Sequence, residues 1–476
     1  MHRREFVSAA LAAGASLGPP GTVSAHSVKD FGAVGDGLAE DTEAVQRAVD
    51  AAEGLVYFPK GSYRLTRPVI VDLASRGNTS LVGDGVARVI MAGPGPAFHF
   101  VGTHDGTADP GDFRDSVWDR ERLPLVTGLE IRGAHPESIG VRLEKTMQAT
   151  LTNLLIRRCK AGVHLEKRNR NLIIAHCHIY HNLEVGILFD RVDLHQAIIA
   201  DSHISYNSVA GILLVGGNMR NFQIVANDIE YNHDEQREGS ADILIDMRSE
   251  DASFREGTIV GNTIQANVSP GGANVRVLGG ANLRSGGLLA ITGNMIGSQT
   301  DNIHVVDCRG VTISSNSLYS AAGRTILLER SANIVIGNNT IDWNPDHKGK
   351  RFVDGITINE CRGVSLSSNI IENSFQGSPE AGGTIEVNRS EDVTIANCQV
   401  LDPRYRGIVL TDAVRCRVTG CTVIDRRQPP TARASIQVAG KSRDNLIIGN
   451  IVNQKSLQIP PDSAEAKENF EVTTEV

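Results

Sequence analysis

Asp301, Arg324 and Asp354 hold one equivalent place in a repeating sequence, and as a set they could move protons. Each stands two residues before the first Ile of a short apolar run, at Ile303, Ile326 and Ile356. In other repeats the same place is filled by Ile139, Ala161, Val185, Ala210, Ala241 and Ala273, and later by Gly383 and Arg406. The column is inert over its first half and charged over its second. If each repeat is one coil of stacked strands, Asp301 and Asp354 lie two coils apart, about 9.6 Å between backbones. Leaning side chains could bring that into the range of about 6.5–9.5 Å that suits an acid/base pair with a water between. Arg324, lying between them, would keep one carboxylate ionised or hold an acidic sugar.

Neighbouring residues suit a sugar cleft. His304 and Glu386 point outward at equivalent strand positions, Glu329 lies in the next outward position, and Arg406 continues the charged column. The insertion 342–351 brings Trp343 for stacking on a sugar face and a basic cluster for an anionic chain. The segment 376–382 could form the opposite wall. A rival surface lies earlier in the chain. Arg142 and His164 share one outward column, and Glu144, Glu166 and Asp190 share the next. Carboxylates stacked about 4.8 Å apart repel unless a cation or an arginine neutralises them, so this column could take Ca²⁺. Each charged residue alone also suits a turn or a solvated surface.

The elements that would position these groups are legible. Gly162-Val163-His164-Leu165 through Ile179, Gly186 through Ile204 and Gly211 through Ile229 are three copies of one pattern, and further copies start near 242, 274, 302, 325, 355, 384, 407 and 435. Repeats of this length mean stacked units that cannot bury their apolar faces alone. Each holds short alternating runs of Ile, Val and Leu, which are strands. The fold expected is all-β, a single-stranded right-handed parallel β-helix. An asparagine ladder at 227, 262, 294, 316, 339, 369 and 450, with Cys177, Ser202 and Cys421 as variants, should satisfy backbone groups between coils. A helix over 41–52, with Ala44, Val45, Ala48 and Val49 on one face, should cover the open end.

A solenoid grows along one axis, so 476 residues make one elongated domain over 26–459, with repeats to about 455 and a loosely ordered tail over 460–476. The net charge of −8 argues against nucleic acid as a partner, and no apolar run is long enough to span a membrane. Arg3-Arg4, an apolar stretch over 7–17 and Val23-Ser24-Ala25 read as a twin-arginine signal peptide over 1–25, placing the protein in the periplasm or outside the cell. Seven scattered cysteines look like buried small residues.

Residues 28–63, Val28-Lys29-Asp30-Phe31-Gly32 through Tyr63, closely resemble the start of the pectate-lyase superfamily domain of rhamnogalacturonase-like proteins. The resemblance implies a right-handed parallel β-helix that cleaves polysaccharides, often uronate-containing, and Asp354-Gly355-Ile356 is similar to a strand entry that carries catalytic carboxylates in polygalacturonase-like relatives. The motifs Asn-Thr-Asp, Gly-His-Gly and Arg-Ile-Lys of strict polygalacturonases are absent. The resulting expectation is an exported glycoside hydrolase-like enzyme, with Asp301, Asp354 and Arg324 catalytic and His304, Glu329, Trp343, Glu386 and Arg406 on the substrate. It would need no cofactor and work as a monomer or homotrimer on a polysaccharide or large oligosaccharide. The alternatives are a Ca²⁺-assisted polysaccharide lyase centred on Glu144, Glu166 and Asp190, a β-helix fructotransferase, and a non-catalytic carbohydrate-binding β-helix.

Overall fold

A computed structural model describes residues 26–106, 111–280, 282–347 and 352–473. Residues 1–25, where a signal peptide is expected, and the basic positions 348–351 lie outside these residues. The chain winds into a right-handed parallel β-helix in which every strand pairing among the described residues is parallel, with the register shifting only at bulges such as the one after Glu166. Three stacks of strands form three faces. The first face carries Gly95–Val101, Ser138–Met147, Ala210–Val215, Ala241–Asp246, Ala273–Leu278, Asp301–Val306, Arg324–Glu329 and Ile356–Asn359, among others.

Period-two alternation decides what is inside. Val141, Val163, Ile187, Ile212, Ile243, Val275, Ile303 and Ile326 stack in one column along the first face, all fully buried. Each β-branched side chain meets its equivalent one coil away, the packing that such side chains favour on a pleated surface. The corner before the third strand is a single left-handed residue, such as His176 at φ 55°, Asp201 at φ 48° or Gly261 at φ 66°. His176 is thereby a corner residue. The ladder asparagine follows it: Asn262 Nδ2 donates to Ile224 O and to Asn294 Oδ1, and the motif repeats through Asn316, Asn339 and Asn369. All seven cysteines are buried, several of them in ladder places.

A second amide ladder runs inside the turn that leads onto the first face. Asn182 donates to Asn207, Asn207 to Asn232, and Asn232 to Asp242 Oδ1, while Asn302 donates to Asn274 and Asn274 to Asp242 Oδ2. Two runs of opposite polarity therefore meet at one acceptor.

Helix α1, Thr42–Ala51, closes the N-terminal end and buries Ala44, Val45, Ala48 and Val49, as the sequence pattern predicts. Asp41, just before it, accepts from Val34 N and Gly35 N and so fastens the cap loop. The other end departs from expectation. Ala464–Lys467 and Phe470–Val472 pair with Asn445–Ile448 and Ile451–Asn453, so the residues expected as a tail add a further coil. Among the described residues no helix is long and apolar enough to cross a membrane.

Candidate functional site

The first face carries two outward columns separated by one buried residue. In the first stand His99, Arg142, His164, Leu188, Leu213, Leu244, Arg276, His304, Leu327, Thr357 and Glu386 in consecutive coils. The second carries Glu144, Glu166, Asp190 and, six coils after Asp190's neighbour Glu166, Glu329. The columns read from the sequence are those of the structure.

Each of the two aspartates expected as a pair is engaged by groups of the coils themselves. Asp354 is 2% exposed, and its carboxylate accepts from Ala321 N at 2.7 Å and lies 3.3 Å from Thr325 Oγ1. It leaves its insertion with φ 41°, and that left-handed turn lays the carboxylate against the neighbouring coil. Burial pushes it up to about 7. Asp301, 9% exposed, accepts from Arg324 N at 3.0 Å, and burial also raises its carboxyl. Arg324 spends its Nε on Thr357 Oγ1 at 2.9 Å and one Nη on Gly323 O.

The expected substrate contacts also divide. His304 has Glu329 Oε2 2.9 Å from Nε2 and receives Arg276 Nε at Nδ1, 3.3 Å away, so both ring nitrogens are engaged. Arg406 is buried and donates to the carbonyls of Ser378, Pro379, Glu380 and Gly382. It staples the 376–382 loop instead of facing a ligand. Glu386 accepts from Gly383 N of the same loop. Trp343 is 40% exposed, at the end of a strand of the third face.

The rival surface holds an opening. A cleft of about 430 Å³ lies between the turn residues Glu137, Lys160 and Glu184 and the outward side chains Arg142, His164 and Asp190, over a floor of Ile139, Ala161 and Val185. The small, inert half of the entry column thus makes a groove floor. His164 is 8% exposed, and neither ring nitrogen has a hydrogen-bond partner. Its Nε2 sits 3.5 Å from Asp190 Oδ2 and 3.9 Å from Glu166 Oε2. Burial, reinforced by Arg142, lowers the imidazole below its usual range and keeps it neutral near pH 7. Arg142 Nε is buried without a partner, and no carboxylate among the described residues pairs with its guanidinium. A free imidazole and an unpaired guanidinium side by side can take a proton from a carbon next to a bound carboxylate. A smaller cleft of about 250 Å³ includes Arg168, Asp193 and Arg220, but Arg168 already pairs with Asp193 and Arg220 with Ser253.

The cation site expected at Glu144, Glu166 and Asp190 is regrouped. His99, Glu144 and Glu166 bring ligand atoms within 4.8 Å of one another, and Asp190 falls outside the set. Glu144 is already held by Lys167 Nζ and by His99 Nε2 at 3.2 Å, and Asp190 by Arg191. One imidazole and two carboxylates, one of them engaged by an ammonium, do not suit Ca²⁺, which takes six to eight oxygens. His99 and Arg276 escaped the sequence reading. Arg276 could have been found from its column, since it precedes His304 as Arg142 precedes His164.

The model of the right-handed beta helix region matches residues 127–264 and 279–452. The chain belongs to that family. A second model, rhamnogalacturonase A/epimerase, pectate lyase-like, matches residues 25–104. The chain is 41% identical over 73 residues to mannuronan C5-epimerase AlgE1 of Azotobacter vinelandii, a stretch covering 14% of this chain and 5% of that one. It is 42% identical over 76 residues to alginate lyase 7 of the same organism, 14% of this chain and 8% of that protein. The chain thus spans under a tenth of the length of either. Among solved structures, the A-module of the Azotobacter vinelandii mannuronan C-5 epimerase AlgE4 aligns over 94% of this chain and 100% of its own, at 15% identity and a TM-score of 0.39.

Proposed function

We propose that this β-helix is a carbohydrate-active enzyme that cleaves a uronate-containing polysaccharide by β-elimination in the Arg142–His164–Asp190 cleft. The observation that carries the proposal is the buried, unpartnered His164 beside the unpaired Arg142. Arg142 binds the uronate carboxylate and stabilises the charge that grows on it as the adjacent carbon loses its proton. Neutral His164 takes that C5 proton, the C4–O bond breaks, and a C4–C5 double bond forms. The leaving oxygen takes a proton from the opposite wall, where Lys160, Glu137 and Glu184 line the cleft. Asp190 stabilises the imidazolium. Short stretches of likeness to an alginate lyase and to mannuronan epimerases support an acidic polysaccharide as substrate.

Hydrolysis by paired aspartates fits less well, because Asp354 is spent on the neighbouring coil. The test is a panel of polyuronates incubated with the enzyme in D₂O, followed by ultraviolet absorbance, reducing ends and NMR. Elimination gives unsaturated ends that absorb. Deuterium at C5 without absorbance would mean epimerisation by the same base. New reducing ends with neither signal would overturn proton abstraction and restore a hydrolase.

A further inference from the structure

The Arg–His arrangement occurs twice on the first face. Arg142 precedes His164 by one coil, and Arg276 precedes His304 by one coil, in the same outward column. From His164 to His304 the column advances five coils through Leu188, Leu213, Leu244 and Arg276, about 24 Å at the strand spacing. The entry column beside this stretch is Ala210, Ala241 and Ala273, so the path between the two clusters is apolar and small on its floor.

The two clusters are built for different work. His164 has no hydrogen bond at either nitrogen and meets carboxylates only at 3.5 Å and beyond, whereas His304 is clamped between Arg276 and Glu329 and has no open face for a proton. What the second cluster offers is cationic. Arg276 ends on the carbonyls of Gly239 and Gly271, and Arg324 on Thr357 and Gly323, and no carboxylate among the described residues lies in ion-pair contact with either guanidinium. Asp301, the acid nearest to both, is mostly buried, gives an oxygen to the Arg324 backbone amide, and makes no ion-pair contact with either side chain. Two arginines held by neutral carbonyls and a hydroxyl need an anion from outside to complete them.

We infer that Arg276 and Arg324, set by His304 and Asp301, form a distal subsite that holds a carboxylate of the same polysaccharide chain whose reacting unit lies at His164. This rests on the uronate reading above. A pyranose unit in an extended chain advances about as far as one coil, so about five units bridge the two clusters, with ring faces passing over Leu188, Leu213 and Leu244. Short oligomers would reach only the His164 cleft, and longer ones would gain a second anchor.

The experiment is calorimetric titration of uronate oligomers of four to eight units into the His164→Ala protein, whose turnover is expected to be about 10²–10⁴ slower, so that binding is read before products accumulate. Affinity should rise stepwise, about ten- to hundredfold, once the oligomer can reach Arg324, the worth of one charge-assisted contact. Adding Arg324→Ala should remove the step. Adding Arg324→Gln instead keeps a donor for Thr357 without the charge, and should remove it as well. A step that survives both changes, or equal weakening of short and long oligomers, would overturn the distal subsite and leave the uronate reading standing. Failure of every oligomer to bind would overturn both.

Discussion

Replacing Asp242 with Asn should stabilise the protein, and by an amount that grows with pH. Asp242 is fully buried, and it accepts at both oxygens from amide runs that arrive from opposite directions. Only a group that accepts on both sides resolves that collision, and an ionised carboxylate does so at the cost of a charge in the core. Burial pushes Asp242 up to about 8. Once protonated it must donate, which favours turning Asn274 and Asn302 over. Asn302 Oδ1, buried without a partner, would then receive Asn274 Nδ2. Asn at 242 imposes that continuous ladder at every pH. A folded-state pKa above the unfolded one gives stability that is full below about pH 4 and is lost as pH rises through about 8. At about 1.4 kcal/mol per unit, wild type loses on the order of 4 kcal/mol relative to Asp242→Asn between pH 5 and pH 8. Urea denaturation of both proteins at pH 5, 6.5 and 8 measures the difference directly, with other titrating groups cancelling. A difference that stays flat with pH, or an Asn variant less stable at pH 8, refutes the reasoning about the ladder.

His164→Ala should lower turnover on the best polyuronate by about 10²–10⁴ with the circular dichroism spectrum unchanged, as expected for loss of a positioned base. Arg142→Ala should raise KM and lower kcat together, whereas Arg142→Lys should recover part of the binding but not the forked geometry. The rate against pH should show an acid limb whose midpoint falls below the ordinary imidazole value, because burial and Arg142 lower His164 and its neutral form is the active one. Asp354→Ala should cost about 1–3 kcal/mol in stability by stranding the Ala321 amide, with little change in rate per folded molecule. Retained activity in His164→Ala with loss in Asp301→Asn would move the reaction to the later coils.

How much of this was legible in the sequence follows from the fold's geometry. In a parallel β-helix, equivalent residues stack at one spacing, so a period in sequence is a column in space. The columns Arg142–His164, Glu144–Glu166–Asp190 and His304–Glu386 were therefore readable by counting alone. Counting does not give depth. Asp301 and Asp354 look alike as strand-entry acids, but Asp354 emerges from an insertion with a left-handed backbone that turns its carboxylate into the wall. Arg406 sits in the charged column, yet the loop it staples decides its direction, and loops carry no period. His99 was missed because its strand, Gly95–Val101, precedes the clean repeats. The tail was misjudged because Pro460, Pro461 and the charges after them conceal two short strands that continue the register.

The acidic column also shows why an outward stack of like charges need not be a metal site. Glu144, Glu166 and Asp190 stand on successive coils, and their mutual repulsion calls for cations. The chain supplies them from its own corners. Lys167 and Arg191, each at a left-handed residue directly after an acid of the column, reach Glu144 and Asp190, and His99 closes on Glu144 from the coil before. Lys167 and His99 hold Glu144 below the usual carboxylate range although burial works to raise it. Glu166, in the middle, has no ion pair with a lysine or arginine among the described residues and faces His164 at 3.9 Å. The neutralised ends and the unneutralised middle place negative potential at the buried imidazole of His164. That potential favours the imidazolium once a proton has been taken, while burial and Arg142 favour the neutral ring before it. The two opposed influences meet at His164, which is the condition a proton-abstracting base requires near neutral pH.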